Sequence, residues 1–372
     1  MSRLHKLTYC SVAIAAAMFM GVGRTPSTRI VANIANVPAD TGKHPAPATP
    51  RIPITPQEHV RAADQTFLTY PEWFLVYGPA EQAEFFGKQT ATKFPFMTHV
   101  EQIWGSYAAV YDQVKGRYPF NSEYHTMIMV IATSSTIEFS LKAAYETMIG
   151  RLTDTADDER MTAEDVFNAR FSTDYVEFLG AAPWYEYSFT AKLKQLWTQI
   201  PLIGRNPLRK LERRYYLTTE LIAKSAYGWL IGLGTRSAYA APILKTAVVV
   251  DQLPAEILAA LPDIEILRLS EDGSPVVLLP RYAAFKPNLQ KLAARGIAFK
   301  EIAGNNTDIL ITLITPRSWS SSSELFGVIF TQPLPTRADR QRVAVVTPIA
   351  SLDKALRHLS NQPITIEHIY DF

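Results

Sequence analysis

The sequence predicts an α+β chain in which an aromatic-rich α-helical body precedes a ferredoxin-like region. Three observations lead there. Apolar residues recur at helical spacing from about residue 57 to 243, at Val100, Ile103, Tyr107, Val110 and Tyr111 for example. From about 244 the period changes to short β-branched runs such as "TAVVVD", "PVVLLP" and "ILITLIT", separated by turn residues. The order of these runs and the helices between them is βαββαβ, followed by a second, partial copy.

The chain starts with "MSRLHK" and then "LTYCSVAIAAAMFMGVG", Leu7 to Gly23, which is apolar and uncharged. That is the pattern of a signal peptide or signal anchor, read here over 1–37. No clean small-residue cleavage site follows, which favours an uncleaved anchor. Arg3 and Lys6 before it are balanced by Arg24 and Arg29 after it, so the charge rule leaves orientation open. Export of the body is the expectation. Residues 38–56, "PADTGKHPAPATPRIPITP", read as an extended proline-rich spacer.

Within the helical body, 57–243, "TPQEHV" opens like a helix, with Thr55 as N-cap and Glu58 at the third position. Pro71 and then Gly78-Pro79 are expected to break "TFLTYPEWFLVYGP", leaving "AEQAEFFGK" as a separate short helix. "FPFMTHVEQIWGSYAAVYDQVKG" and "YHTMIMVIATSSTIEFSLKAAYE" are helices, the latter closed by Gly150. After an acidic connection, Thr162 caps another helix with Asp165 at N3. The C-terminal region, 244–372, holds strands and helices to "ITIEHIYDF", with a Ser-rich segment "RSWSSSSEL" where the second copy lacks its first helix.

The stretches "TFLTYPEWFLVYGPAEQAEFF", "FPFMTHVEQIWGSY", "YPFNSEYHTMIMVI" and the closing "EHIYDF" resemble an uncharacterised family of bacterial membrane-anchored proteins. The resemblance covers most of the chain after the spacer. It implies a bacterial envelope setting and supplies no mechanism; with the leader, the expectation is a single anchor in the inner membrane and a periplasmic body.

Composition narrows the function classes. Charged residues are 19%, below the usual share of about 25%, while 17 Tyr, 18 Phe and 6 Trp supply abundant apolar surface. A net charge of +2 argues against a nucleic-acid partner. The single cysteine, Cys10, excludes disulfides, thiolate metal sites and a Cys nucleophile from the rest of the chain. G-x-S-x-G, H-E-x-x-H and P-loop motifs are absent. The segment 184–243 sets aromatics, Trp184 and Trp197 among them, beside the cations Arg205, Arg209, Lys210, Arg213 and Arg214. That pairing suits a membrane surface with anionic headgroups, or ordinary core packing.

Glu72, His99, Glu101, Glu123, His125 and Glu138 form the densest polar set. His99 and Glu101, and likewise Glu123 and His125, are two apart, a spacing that diverges on a helix. Glu123 at a helix start also has a structural use against the dipole. No cofactor is predicted. A mixed imidazole and carboxylate metal site from His99, Glu123 and His125 is the alternative, suited to iron, manganese or zinc. Glu138 falls on the apolar stripe Met127, Ile131, Ser134, Leu141, Tyr145, Met148, with Lys142 four residues on. Paired, it is structural; unpaired and buried, it is a raised-pKa acid or base, with His125 as its catalytic partner. The apolar run Met127–Ile137 is too short to cross a membrane. The reading that follows is a non-enzymatic, membrane-anchored binding or scaffolding protein. Its partners are lipid or an apolar ligand, with self-association or a protein partner at the C-terminal sheet. The alternative is a membrane-associated enzyme on a lipid-like substrate.

Overall fold

The computed structural model describes residues 51–154, 161–180, 182–238, 244–321 and 323–371, without side chains at 233–238 and 283. The anchor, Cys10 and residues 38–50 of the spacer lie outside the described residues. The chain is α+β and forms two compact units. Among described residues, the first takes 73–103 and 129–238, and the second takes 51–72, 104–128 and 244–371. The expected boundary near 243 therefore marks only the last segment of the second unit, which also draws on the ends of three helices.

Those helices are α1 (Gln65–Phe86), α2 (Phe96–Val114) and α3 (Ser122–Tyr145). The breaks expected in α1 do not occur: the helix runs through Pro71, Gly78 and Pro79. A helical proline costs about 3 kcal/mol. Burial of Phe67, Leu68, Tyr70, Phe74, Tyr77 and Phe85 outweighs it, at roughly 1.5–3 kcal/mol per large side chain. The helix expected at "TPQEHV" shrinks to one turn, Gln57–His59, because Thr55 is engaged elsewhere. Gly150 does not close α3. The helix continues through a wider turn, Glu146–Gly150, to Thr153.

The rest of the first unit is α4 (Ala163–Leu179), α5 (Phe189–Gln199) and α6 (Pro207–Ala238). Thr162 and Asp165 form the expected capping box on α4. Phe167, Phe171, Phe189, Leu196, Leu217 and Leu221 make the core between these helices. The glycines of "YGWLIGLG" do not interrupt α6.

The second unit holds two four-stranded antiparallel sheets. The first consists of β1 (Lys245–Val250), β2 (Glu265–Leu269), β3 (Pro275–Pro280) and β4 (Phe299–Ile302), in the order β2-β3-β1-β4. Helices α7 (Ala255–Ala260) and α8 (Phe285–Ala294) connect β1 to β2 and β3 to β4. The second consists of β5 (Asp308–Pro316), β6 (Gly327–Leu334), β7 (Arg337–Pro348) and β8 (Thr365–Ile369), in the order β6-β7-β5-β8, with α9 (Leu352–Ser360) before β8. Relative to chain order, the two sheets have the same arrangement. One continuous apolar core joins them, from Val248 and Phe285 to Ile311 and Leu356. The edge strand β2 has all five residues exposed.

Candidate functional site

Glu138, Lys142 and Glu146 do not form a ladder along α3 alone. They form a charged seam with α6. Glu138 Oε1 lies 3.0 Å from Lys142 Nζ and 3.1 Å from Lys224 Nζ. Lys142 Nζ also donates to Glu220 Oε1 at 2.8 Å. One level on, Arg213 grips Glu146 through both terminal nitrogens, at 2.7 and 3.1 Å, and donates from Nε to Glu212 at 2.6 Å. As the numbers rise on α3 they fall on α6, so the helices run antiparallel. Gly150 admits this geometry, since a side chain there would collide with Glu146 Oε2.

Glu138 is thus tied to Lys142 as expected, and to Lys224 as well. Burial opposes its ionisation, but the ammonium groups of Lys224 and Lys142 win and hold the carboxyl well below the usual carboxylate range. That is the opposite of a raised-pKa proton donor.

From Arg209 on, the basic run turns inward. Arg209, Lys210, Arg213 and Arg214 are all buried. Arg209 pairs with Asp165 at 3.1 Å, Lys210 with Glu164 at 2.7 Å, and Arg214 with Glu164 at 2.5 Å. The headgroup-facing cluster expected from these four does not exist in the fold, because carboxylates distant in sequence claim each cation. Of the residues expected at a membrane surface, Arg205 and Trp197 are exposed, and Trp184 is half-buried against Tyr227 at 5.2 Å.

What faces outward on α6 was not foreseen. Its exposed arc carries Leu208, Leu211, Tyr215, Ile222, Trp229 and Leu230, and no described exposed residue of the helix is charged. The signal was present: Leu208, Tyr215, Ile222 and Trp229 recur every seven residues, one stripe of a helix. Leu141, Met148, Ile149 and Leu152 are likewise exposed on the neighbouring α3 and its continuation. The 32-residue helix Ser122–Thr153 is long and apolar enough to cross a membrane, by length and composition, and only 17% of its most apolar window is buried. This reverses the expectation that the segment is too short, which counted only the uninterrupted apolar run. Thr126 and Thr136 return their hydroxyls to the helix backbone, which lowers their polarity.

The His and Glu residues divide between the units. His99, in the first, sits in a cage of Phe74, Phe94 and Phe139, with ring centroids 5.0–5.8 Å away, and its Nε2 is 3.2 Å from Glu81. Glu101 is exposed. In the second, Glu123 is exposed in the first turn of α3. His125 stacks on Phe120 at 4.6 Å, with its Nδ1 3.0 Å from the Tyr107 hydroxyl. Burial lowers the His125 pKa, against the pull of Asp64. Among the described residues, no three His, Cys, Asp or Glu side chains are grouped to hold a metal ion.

Glu72 acquires a partner that the sequence did not suggest. Tyr124 Oη lies 2.9 Å from Glu72 Oε2 and 3.0 Å from Thr69 Oγ1, which is 2.6 Å from the Gln65 carbonyl. With Glu72 protonated, each hydroxyl in this chain donates onward to that carbonyl. With Glu72 ionised, Tyr124 donates back to it. Burial raises the Glu72 pKa, opposed by the Tyr124 hydrogen bond and by Arg281. A folded pKa above the ordinary 4.5 stabilises the fold below that pH, and the contribution is lost as pH rises through the folded value. Glu72→Gln keeps the neutral shape at every pH. In thermal unfolding it should exceed the parent chain at about pH 7 and match it near pH 4. An equal gap at both would remove Glu72 as the cause.

No protein-family model, curated protein or solved structure matches the chain.

Proposed function

We propose that this is a membrane-anchored envelope protein of binding or scaffolding type, whose helical unit lies with its outer face against lipid. The observation that carries the reading is the inversion of α6: among its described side chains, the arginines, lysines and glutamates face the protein, while leucine, isoleucine and tryptophan face out. In water that arrangement leaves large apolar surface exposed and desolvates charge. Against hydrocarbon it is the economical one, because ionisable groups pair inward and apolar groups meet lipid. The apolar segment Leu7–Gly23 would hold the chain at the same membrane. A periplasmic body on an inner-membrane anchor suits this arrangement.

In the second unit, the strand order and antiparallel pairing of each sheet support two tandem ferredoxin-like units, the second with a Ser-rich loop in place of its first helix. The enzymatic alternative relied on Glu138 and His125. Glu138 is committed to two lysines and His125 to a ring stack, which leaves it without support from either residue.

The test uses full-length protein in vesicles of chain-brominated phosphatidylcholine. Bromine quenches tryptophan only at close range. The Trp fluorescence should fall relative to unbrominated vesicles, and Trp229→Phe should remove a large share of the fall. Quenching that is unchanged by Trp229→Phe would count against lipid contact along α6.

A further inference from the structure

The turn between α5 and α6, Pro201–Asn206, is exposed at every residue but the last. Loops are normally polar, yet this one presents Leu202 at 66% and Ile203 at 91% exposure. It is firmly held. Arg214 donates to the carbonyls of Ile200 and Pro201 at 3.0 and 3.1 Å. The same guanidinium is fixed by Glu164 and lies over the Trp197 ring, 5.5 Å from its centroid. The stem of Lys210 packs under Gly204, where an added Cβ would come within 3.3 Å of Lys210 Cδ. Asn206, at φ 54°, turns the chain into α6. Buried charges thus hold two exposed aliphatic side chains out from the protein.

The elements that flank this tip carry the exposed Trp197, Leu208 and Leu211, with the exposed cations Lys194 on α5 and Arg205 in the turn. An apolar tip, an interfacial tryptophan and an arginine beside it are the components of a segment that enters a bilayer. Charge complementarity favours lipid over a protein partner: the exposed charged residues between Phe189 and Leu211, Lys194 and Arg205, are both cations, which suit lipid phosphate.

We propose that Pro201–Arg205 is a lipid wedge: Leu202 and Ile203 enter the acyl region, Trp197 sits at the interface and Arg205 meets lipid phosphate. The proposal rests on the membrane-facing reading of the helical unit and makes this loop its deepest point.

The test uses full-length chain with Cys10→Ser and one new cysteine at a time, Ile203→Cys, Ile222→Cys or Lys88→Cys, carrying an environment-sensitive fluorophore. All three native side chains are exposed, so the labels should leave the fold standing. Vesicles are phosphatidylcholine alone or with phosphatidylglycerol, each with acyl-chain nitroxide lipid as quencher. The expected result is quenching at position 203 several-fold above that at 88, and at least equal to that at 222, in both lipid mixtures. Quenching at 222 but not at 203 overturns the wedge and leaves the membrane-facing helix intact. A water-exposed signal at both positions overturns both readings, and points to a protein or a second copy as the occupant.

Discussion

Arg213→Ala should destabilise the helical unit by about 3–5 kcal/mol, the usual cost of removing one partner from a buried ion pair. Arg213 is 1% exposed. It neutralises Glu146 and Glu212 at once, and its guanidinium lies over the rings of Tyr145 and Tyr216, 5.7 and 4.9 Å from their centroids. Truncation leaves Glu146 without its ion-pair partner in a desolvated seam, leaves Glu212 to Arg209 alone, and empties the space between two aromatic rings. The loss is therefore larger than the net worth of the bridge. The double change Arg213→Leu, Glu146→Leu should recover most of it, since Glu212 keeps Arg209 at 3.3 Å and the apolar replacement of the other pair carries no stranded charge. The measurement is thermal or denaturant unfolding of full-length protein in mild detergent, followed by circular dichroism. A loss below about 1 kcal/mol would mean that water or lipid headgroups already reach this seam.

The same network explains what could and could not be read from the sequence. The strands and helices after 244 were legible because alternation, β-branching and turn residues agree there: "EDGS" makes the β2–β3 turn, with Gly273 at φ 79°, and Gly296 ends α8 at φ 79°. The helix boundaries before 90 were not. Pro71 and Pro79 are local signals, and the aromatic packing that overrides them is not local. The cations Arg209, Lys210, Arg213 and Arg214 were misread for a related reason. They are obvious as cations, but the carboxylates that bury them, Glu146, Glu164 and Asp165, lie some 40 to 70 residues away in the chain. α6 has two faces, one charged and one apolar, and the usual rule would put the apolar one inside. Only the positions of the partners reveal that the helix is turned the other way. Glu138 was half legible. Its bond to Lys142 follows from spacing, whereas the added bond to Lys224 needs α6 beside it.

Glu301→Ala should release the segment that leads from the spacer into the sheet unit. Glu301, on β4, is 3% exposed and forms no ion pair among the described residues. Its carboxylate instead accepts from the backbone amides of Ile54 and Thr55, at 2.7 and 2.9 Å, and from the Thr55 hydroxyl at 2.9 Å. Asn306 exchanges two bonds of 3.0 Å with the backbone of Arg51. Val60 packs on Gly304, whose φ of 79° and close contact both require glycine. Held this way, Ile54 covers Ala247, Val249 and Val276 on the sheet face. Hydrogen bonds to a buried charged acceptor contribute about 1.5–3 kcal/mol each, so losing the set should speed amide exchange at Ile54 and Thr55 by roughly 100-fold or more. Global stability should fall less, since the strap can detach without unfolding the sheets. Glu301→Gln keeps one acceptor oxygen and should lie between the parent and the alanine variant. Unchanged exchange in Glu301→Ala would contradict the role of this carboxylate. The choice of a carboxylate has a physical reason: two oxygens that only accept can satisfy two amides and a hydroxyl together, as no amide side chain can.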